Sequence, residues 1–217
     1  MRNLNVLLTG FDAFGGETEN PSWQVAQALD GQRIGEHQVV AECLPTSFRK
    51  ALGHLLKAIK THRPALVLCL GQAGGRTRLS LERVAINLID ARIADNEGWQ
   101  PIDMPVLDGG PAAYFSTLPI KAMLGALHEA QLPAHMSHSA GTFVCNQVFY
   151  GLMHHLAKSD TPAGFMHIPY SSQQTADSGR DAPSMSLADM EQGVRVALAC
   201  ALDPTRTAPE LSGGSEH

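Results

Sequence analysis

No stretch of the 217 residues stays apolar for the roughly 18 positions that a membrane-crossing helix needs, so no membrane partner is expected. The amino-terminal segment lacks the long apolar region and small-residue cleavage site of a signal peptide. Its short run Val6-Leu7-Leu8 passes straight into Gly-Phe-Asp and reads as a first strand. Cysteine is scarce and scattered: Cys43, Cys69, Cys145 and Cys200 form no Cys-x-x-Cys pair. A chain of this length buries a substantial core without staples, so free thiols and a reducing cytoplasm are the expected setting. A basic stripe is also missing. Sixteen Lys+Arg stand against 21 Asp+Glu, a formal charge of −5, which argues against a nucleic-acid partner. Gly71-Gln72-Ala73-Gly74-Gly75 matches neither G-x-G-x-x-G nor a P-loop, and no Gly-Lys-Ser/Thr occurs, so nucleotide binding has little support.

What is present is an ordinary globular composition, 44% hydrophobic and 17% charged, in which strand-like and helix-like patterns alternate. Strands are expected at Leu4–Thr9, Gln38–Leu44, Ala65–Leu70, Leu79–Asn87 and Gly164–Pro169. Helices are expected from Asn20-Pro21-Ser22 to a stop at Gly31, and over Phe48–Thr61, Ile120–Glu129, Phe143–Lys158 and Leu187–Leu202, the last capped by Ser186. Asp90–Pro111, rich in Gly, Pro and Asp, reads mostly as loop. This rhythm predicts a three-layer α/β/α sandwich around a mostly parallel, open twisted sheet. Residues 1–202 are expected to form a single domain and 203–217 a frayed tail.

In such a sheet, ligands gather outside the carboxyl ends of the strands. Four segments are expected there: Gly10–Asn20, Gly71–Arg78, the approach to Cys145 and the region of His167. Cys145 follows a small, flexible stretch and falls in the first turn of a helical pattern, where unpaired N–H groups favour a thiolate and can hold an oxyanion. A small buried hydrophobe is the alternative for this residue. His167 ends an apolar strand and needs a partner if buried, either structural or catalytic. Glu82 stands in the otherwise apolar pattern Leu81–Asn87. It reads either as half of an ion pair with a nearby arginine or as a carboxylate orienting an imidazole. His135 and His138 are three apart but lack further ligands at metal spacing, so no metal is expected.

Taken together, several motifs are recognisable. Gly10-Phe11-Asp12-Ala13-Phe14-Gly15-Gly16 with Asn20-Pro21-Ser22, Gly71 to Arg76, Glu82 to Asn87 with Asp90-Ala91-Arg92, Ser139 to Asn146, and His167-Ile168-Pro169-Tyr170 resemble the pyroglutamyl peptidase I family of cysteine peptidases, in the family's order. That resemblance implies a thiol exopeptidase that releases N-terminal pyroglutamate through a thioester. Cys145 would be the nucleophile, His167 the general base and acid, and Glu82 the group orienting the imidazole. It further implies a lactam pocket built from Phe11, Phe14 and Phe143 with polar help from Asn20 and Gln72, an Arg92 near the reacting groups, no cofactor, and a dimer or tetramer. Ala13, Tyr170 and Ser171-Ser172 depart from common family residues and bear on loop rigidity and pocket shape. Two other classes fit the same sheet plan. One is a binding protein for lactams or modified peptides without turnover; the other is a nucleoside phosphorylase-like enzyme or small-amide hydrolase.

Overall fold

The structure, a computed structural model, describes residues 4–207, 209–210 and 212–214. The first strand, β1 (Asn5–Phe11), is buried at every position after its first, as the unbroken apolar run requires of a strand covered on both faces. Asn20 then caps α1 (Pro21–Leu29), accepting from the Ser22 N–H, with proline in the first turn. After the two-residue β2 (Arg33–Ile34) come β3 (His37–Leu44), α2 (Ala51–His62) and β4 (Leu66–Gln72). The expected helix start at Phe48 is displaced to Ala51, because the Phe48 N–H donates to Asp95 Oδ2 (2.9 Å) and holds residues 48–50 as a turn.

The expected strand Leu79–Asn87 is two strands, β5 (Leu79–Glu82) and β6 (Val84–Ile86), which belong to different sheets. Arg83 is the turning point: its N–H donates to Ser137 O (2.8 Å), while its carbonyl receives the Ser116 N–H (2.9 Å). Beyond it β6 pairs antiparallel with β7 (Ala113–Phe115). The chain continues through α3 (Ile120–Glu129), β8 (Ala134–Ser137), α4 (Val144–His155), β9 (Ala163–Ile168), β10 (Tyr170–Ser171), α5 (Ser172–Ser178), β11 (Ser184–Met185) and α6 (Leu187–Leu202).

Seven strands form the main sheet in the order β2-β3-β1-β4-β9-β5-β8. β3, β1, β4 and β9 run parallel; β5 and β8 run parallel to each other but against β9. Val6, Leu8, Leu68 and Met166 face α1, α3 and α6, whereas Leu7, Val67, Cys69 and Phe165 face α2 and α4. The sandwich therefore has three layers. Gly10, Gly71 and His167 lie at the carboxyl ends of parallel strands, and the Cys145 approach joins them there, although it leaves β8, which runs the other way. Residues 138–143 carry the chain back to α4.

Within the expected tail, Arg206 pairs with Glu129 and the Gly213 carbonyl accepts from His138 Nε2; the rest of that segment lies partly outside the described residues. The start of α4 is pinned by Asn146, which is fully buried. Its Oδ1 accepts the Ile86 N–H (3.0 Å) and its Nδ2 donates to the carbonyls of Ile86 and Leu88 (2.9 Å each). Replacing it with alanine strands those backbone groups in the interior. Asn146→Ala is expected to lose about 2–4 kcal/mol in urea unfolding, read from the midpoint at unchanged m-value.

Candidate active site

Strand register does the first work. His167 stands opposite Gly71 on one side and Ser80 on the other, and Glu82 is opposite Phe165. Side chains alternate along a strand, so Glu82 and His167 share a face as diagonal neighbours. They meet there: Glu82 Oε1 lies 2.7 Å from His167 Nδ1. The same oxygen accepts from Arg76 Nη1 (2.7 Å), and Arg76 Nη2 donates to Ser139 O (3.2 Å). Glu82 has no solvent exposure and His167 only 3%. Burial opposes the charge on Glu82, but the hydrogen bond and charge of His167, with Arg76 and Ser137, outweigh it and hold the carboxyl below its ordinary range. Both readings of Glu82 in the sequence are thus present at one atom, ion pair and imidazole partner alike. With Nδ1 committed, Nε2 is the imidazole nitrogen left for other chemistry.

Cys145 is delivered from the helical layer. It is the second residue of α4, whose cap position, Phe143, makes no side-chain hydrogen bond and whose first turn carries no acidic residue. The helix therefore presents open N–H groups beside the sulfur. Gly71 makes room beneath it. A Cβ there would stand 2.8 Å from Cys145 Sγ and 2.9 Å from the Phe165 ring, so only glycine lets the sulfur settle against β4 at the level of His167. Gly141 (φ 77°) supplies the left-handed turn that precedes the helix. Cys145 is half-buried and lines the same pocket as His167. Burial first, then the Glu82 charge and Cys69, push its thiol up to about 12 against the opposing pull of Arg76 and its own N–H.

That pocket encloses about 300 Å³, at the small end for ligand sites. It collects Phe11, Phe14, Asn20, Gln72, Arg92 and Phe143, every pocket residue expected from the sequence, with Glu82 standing behind His167. Phe14 and Phe143 face each other at 6.1 Å, and Phe48 holds the Phe143 ring edge-on at 5.1 Å. Phe11 is 2% exposed and packs on Phe165, so it forms the floor. Asn20 is mostly committed to the loop: Oδ1 accepts from the Ser22 N–H and hydroxyl, and Nδ2 donates to Asp12 O (2.9 Å). Gln72 Oε1 is held by Gln174 Nε2 (3.1 Å), which leaves the Gln72 amide N–H groups for a ligand. Arg92 is exposed at the rim and makes no hydrogen bond or ion pair with the described residues.

A sequence model of pyroglutamyl peptidases matches residues 4–204. The chain is 52% identical over 195 residues to the pyrrolidone-carboxylate peptidase of Bacillus thuringiensis (strain Al Hakam), covering 89% of this chain and 90% of the relative. The chain belongs to the pyroglutamyl peptidase family. Among solved structures, pyroglutamyl peptidase I from Bacillus amyloliquefaciens superposes with a TM-score of 0.88 at 46% identity, over 93% of this chain and 97% of that one. A mutant pyrrolidone carboxyl peptidase from Pyrococcus furiosus gives 0.90 at 43% identity, over 93% and 99%.

Several residues of this family member's site escaped the sequence reading. Arg76 appeared there only as the end of a glycine-rich motif; its placement on Glu82 depends on a contact between a loop and a strand six residues on. Thr46, Asp90 and Ile93 also line the pocket. A brace behind the pocket escaped it too: α5 has a single apolar residue, Ala176, yet Ser171 caps it in a capping box with Gln174, and Gln174 reaches Gln72 and the Glu19 carbonyl. The Ser171-Ser172 departure thus starts a helix that steadies the phenylalanine-bearing loop. Among the described residues, no group of three His, Cys, Asp or Glu side chains converges as metal ligands do.

The elevated thiol sets a pH signature. Thiolate is the reactive form, and below a pKa near 12 its fraction grows about tenfold per pH unit. Alkylation of Cys145 by iodoacetamide, mapped by peptide mass spectrometry, should therefore climb steeply from pH 6 to 9. A flat profile would reveal a preformed thiolate instead.

Proposed function

We infer that the chain is a cysteine exopeptidase (an ω-peptidase) that removes an N-terminal pyroglutamyl, or 5-oxoprolyl, residue from peptides. The observation that carries this reading is one arrangement. A buried carboxylate fixes one nitrogen of His167, and the ring borders a small aromatic slot where Cys145 stands at an uncapped helix start. The substrate's first residue is a neutral five-membered lactam. Phe14 and Phe143 offer its ring apolar faces, and the free Gln72 amide offers its carbonyl a donor. An N-terminal glutamate or glutamine brings charge into a slot whose lining is mostly apolar, which disfavours it.

The elevated thiol makes Cys145 a resting S–H group, so His167 Nε2 takes its proton as sulfur attacks the carbonyl joining the lactam residue to the next. N–H groups at the start of α4, that of Cys145 among them, hold the oxyanion. When the C–N bond breaks, the imidazolium returns that proton to the departing amine, leaving a thioester on Cys145. His167 then takes a proton from water, whose oxygen attacks the thioester. The sulfur leaves, regains a proton from the imidazolium, and pyroglutamate is released. The imidazolium formed twice in this cycle faces the Glu82 carboxylate, which stabilises it and fixes its orientation. These steps call for no metal or organic cofactor. A reducing compartment such as the cytoplasm suits the four free cysteines, and a homo-oligomer, dimer or tetramer, suits the exposed Ile102, Met104, Leu107 and Phe115.

Release of aminocoumarin from pyroglutamyl-aminocoumarin, set beside prolyl, glutaminyl and alanyl analogues, tests the reading: only the first should be cleaved. Cys145→Ser should lower kcat by at least about 1,000-fold, and retained turnover would remove Cys145 as nucleophile. Glu82→Gln should lower kcat by about 100-fold or more at little cost in KM, because an amide no longer balances the imidazolium.

A further inference from the structure

Glu82 is unevenly satisfied. Oε1 takes both His167 Nδ1 and Arg76 Nη1, whereas Oε2 is buried with no hydrogen-bond partner. Leaving one oxygen of a fully buried carboxylate without a donor is costly, so a nearby group able to supply one carries meaning. The residue directly opposite Glu82 in the sheet is Ser137, at the end of β8. Paired residues on neighbouring strands project to the same face about 4.8 Å apart, so the hydroxyl is beside the carboxylate. Ser137 is itself buried, at 8% exposure.

Its hydroxyl hydrogen is free to turn. In the structure Ser137 Oγ donates to Ser139 O (3.1 Å) and accepts from the Ser139 N–H (3.4 Å). The Ser139 carbonyl already receives Arg76 Nη2, so it keeps a donor if the serine hydrogen swings away. A hydroxyl rotor between a neutral carbonyl with a second donor and an ionised oxygen with none favours the ion. The depressed carboxyl of Glu82 includes a contribution from this side chain.

We propose that Ser137 is a positioning residue for the peptidase reaction, whose hydroxyl donates to Glu82 Oε2 and so holds the carboxylate ionised and square to His167. The proposal rests on the peptidase reading and acts only through Glu82. Its effect should be greatest when His167 carries the extra proton, since a carboxylate that rotates or protonates no longer balances the imidazolium. Ser137 also begins the 137–143 segment that leads to Cys145, so the same hydroxyl ties that loop to the carboxylate.

Threonine and valine at this site have nearly the same shape and differ in the hydroxyl, so the test compares Ser137→Thr with Ser137→Val. With pyroglutamyl-aminocoumarin, S137V should lose about 10-fold in kcat with KM changed less than about 2-fold, while S137T stays within about 3-fold of the native enzyme. Withdrawing a donor raises the proton affinity of the carboxylate, so the acid limb of kcat/KM should move to higher pH in S137V and not in S137T. Proton NMR adds a readout independent of turnover. The low-field resonance of the His167 Nδ1–H should shift in S137V and keep its native position in S137T. If the native protein does not cleave the substrate, the peptidase reading fails while the resonance still reports on Ser137. Thr and Val variants that agree in kcat, acid limb and resonance overturn the proposal, as does an equal loss in both, which marks a packing role.

Discussion

A single carboxylate oxygen, Glu82 Oε1, joins the parts of this molecule that matter for chemistry. Burying an ionised carboxylate inside the fold is among the most expensive placements available to a side chain, and it is sustained here by the Arg76 guanidinium and the His167 ring nitrogen Nδ1, each at 2.7 Å. One partner, Arg76, belongs to the loop after β4 and also holds the Ser139 carbonyl. The other, His167, belongs to β9. Strand, loop and nucleophile approach are therefore fixed relative to one another by one charge. The imidazole follows from that arrangement, since its second nitrogen is left facing the pocket.

The helical layer answers a different constraint. A nucleophile needs a rigid mount and open N–H groups, and the start of α4 offers both because Phe143 leaves its end uncapped. The stability that a capping side chain would supply is forgone there. Asn146, one residue beyond Cys145, offsets it by binding three backbone groups of the 86–88 segment. Gly71 completes the mount by leaving a void the size of a methyl group for sulfur and ring to share. The site is thus built from an absence of capping, an absence of a side chain and one buried charge.

Much of this was legible in the sequence and some of it was not. Continuous apolar runs gave the buried strands β1, β4 and β9, and helical spacing with Ser186 and Asn20 as caps gave α1, α3 and α6. β7, β8, β10, β11 and α5 are only two to seven residues long, too short for a period to be read from the sequence. The break at Arg83 was hidden because residues on both sides look like one strand; the change of partner occurs in space. Glu82, His167 and Cys145 stood out as polar or nucleophilic residues in segments whose pattern did not call for them. Arg76 and Ser137 did not stand out, since an arginine after a glycine-rich turn and a serine in a short strand are unremarkable locally.

The amino-acid sequence by itself determined the layer plan, the family likeness and the residue types available for chemistry, because these depend on periodicity and on motifs contiguous in the chain. Tertiary structure decided which groups touch: that Arg76 and His167 share one oxygen of Glu82, that Ser137 stands opposite it, and that the Cys145 loop returns from a strand of reversed direction. The reason is physical. Strand register and the direction of neighbouring strands are settled by pairing across the sheet, between segments as far apart as the 85 positions separating Glu82 from His167, where local sequence carries no record of the partner.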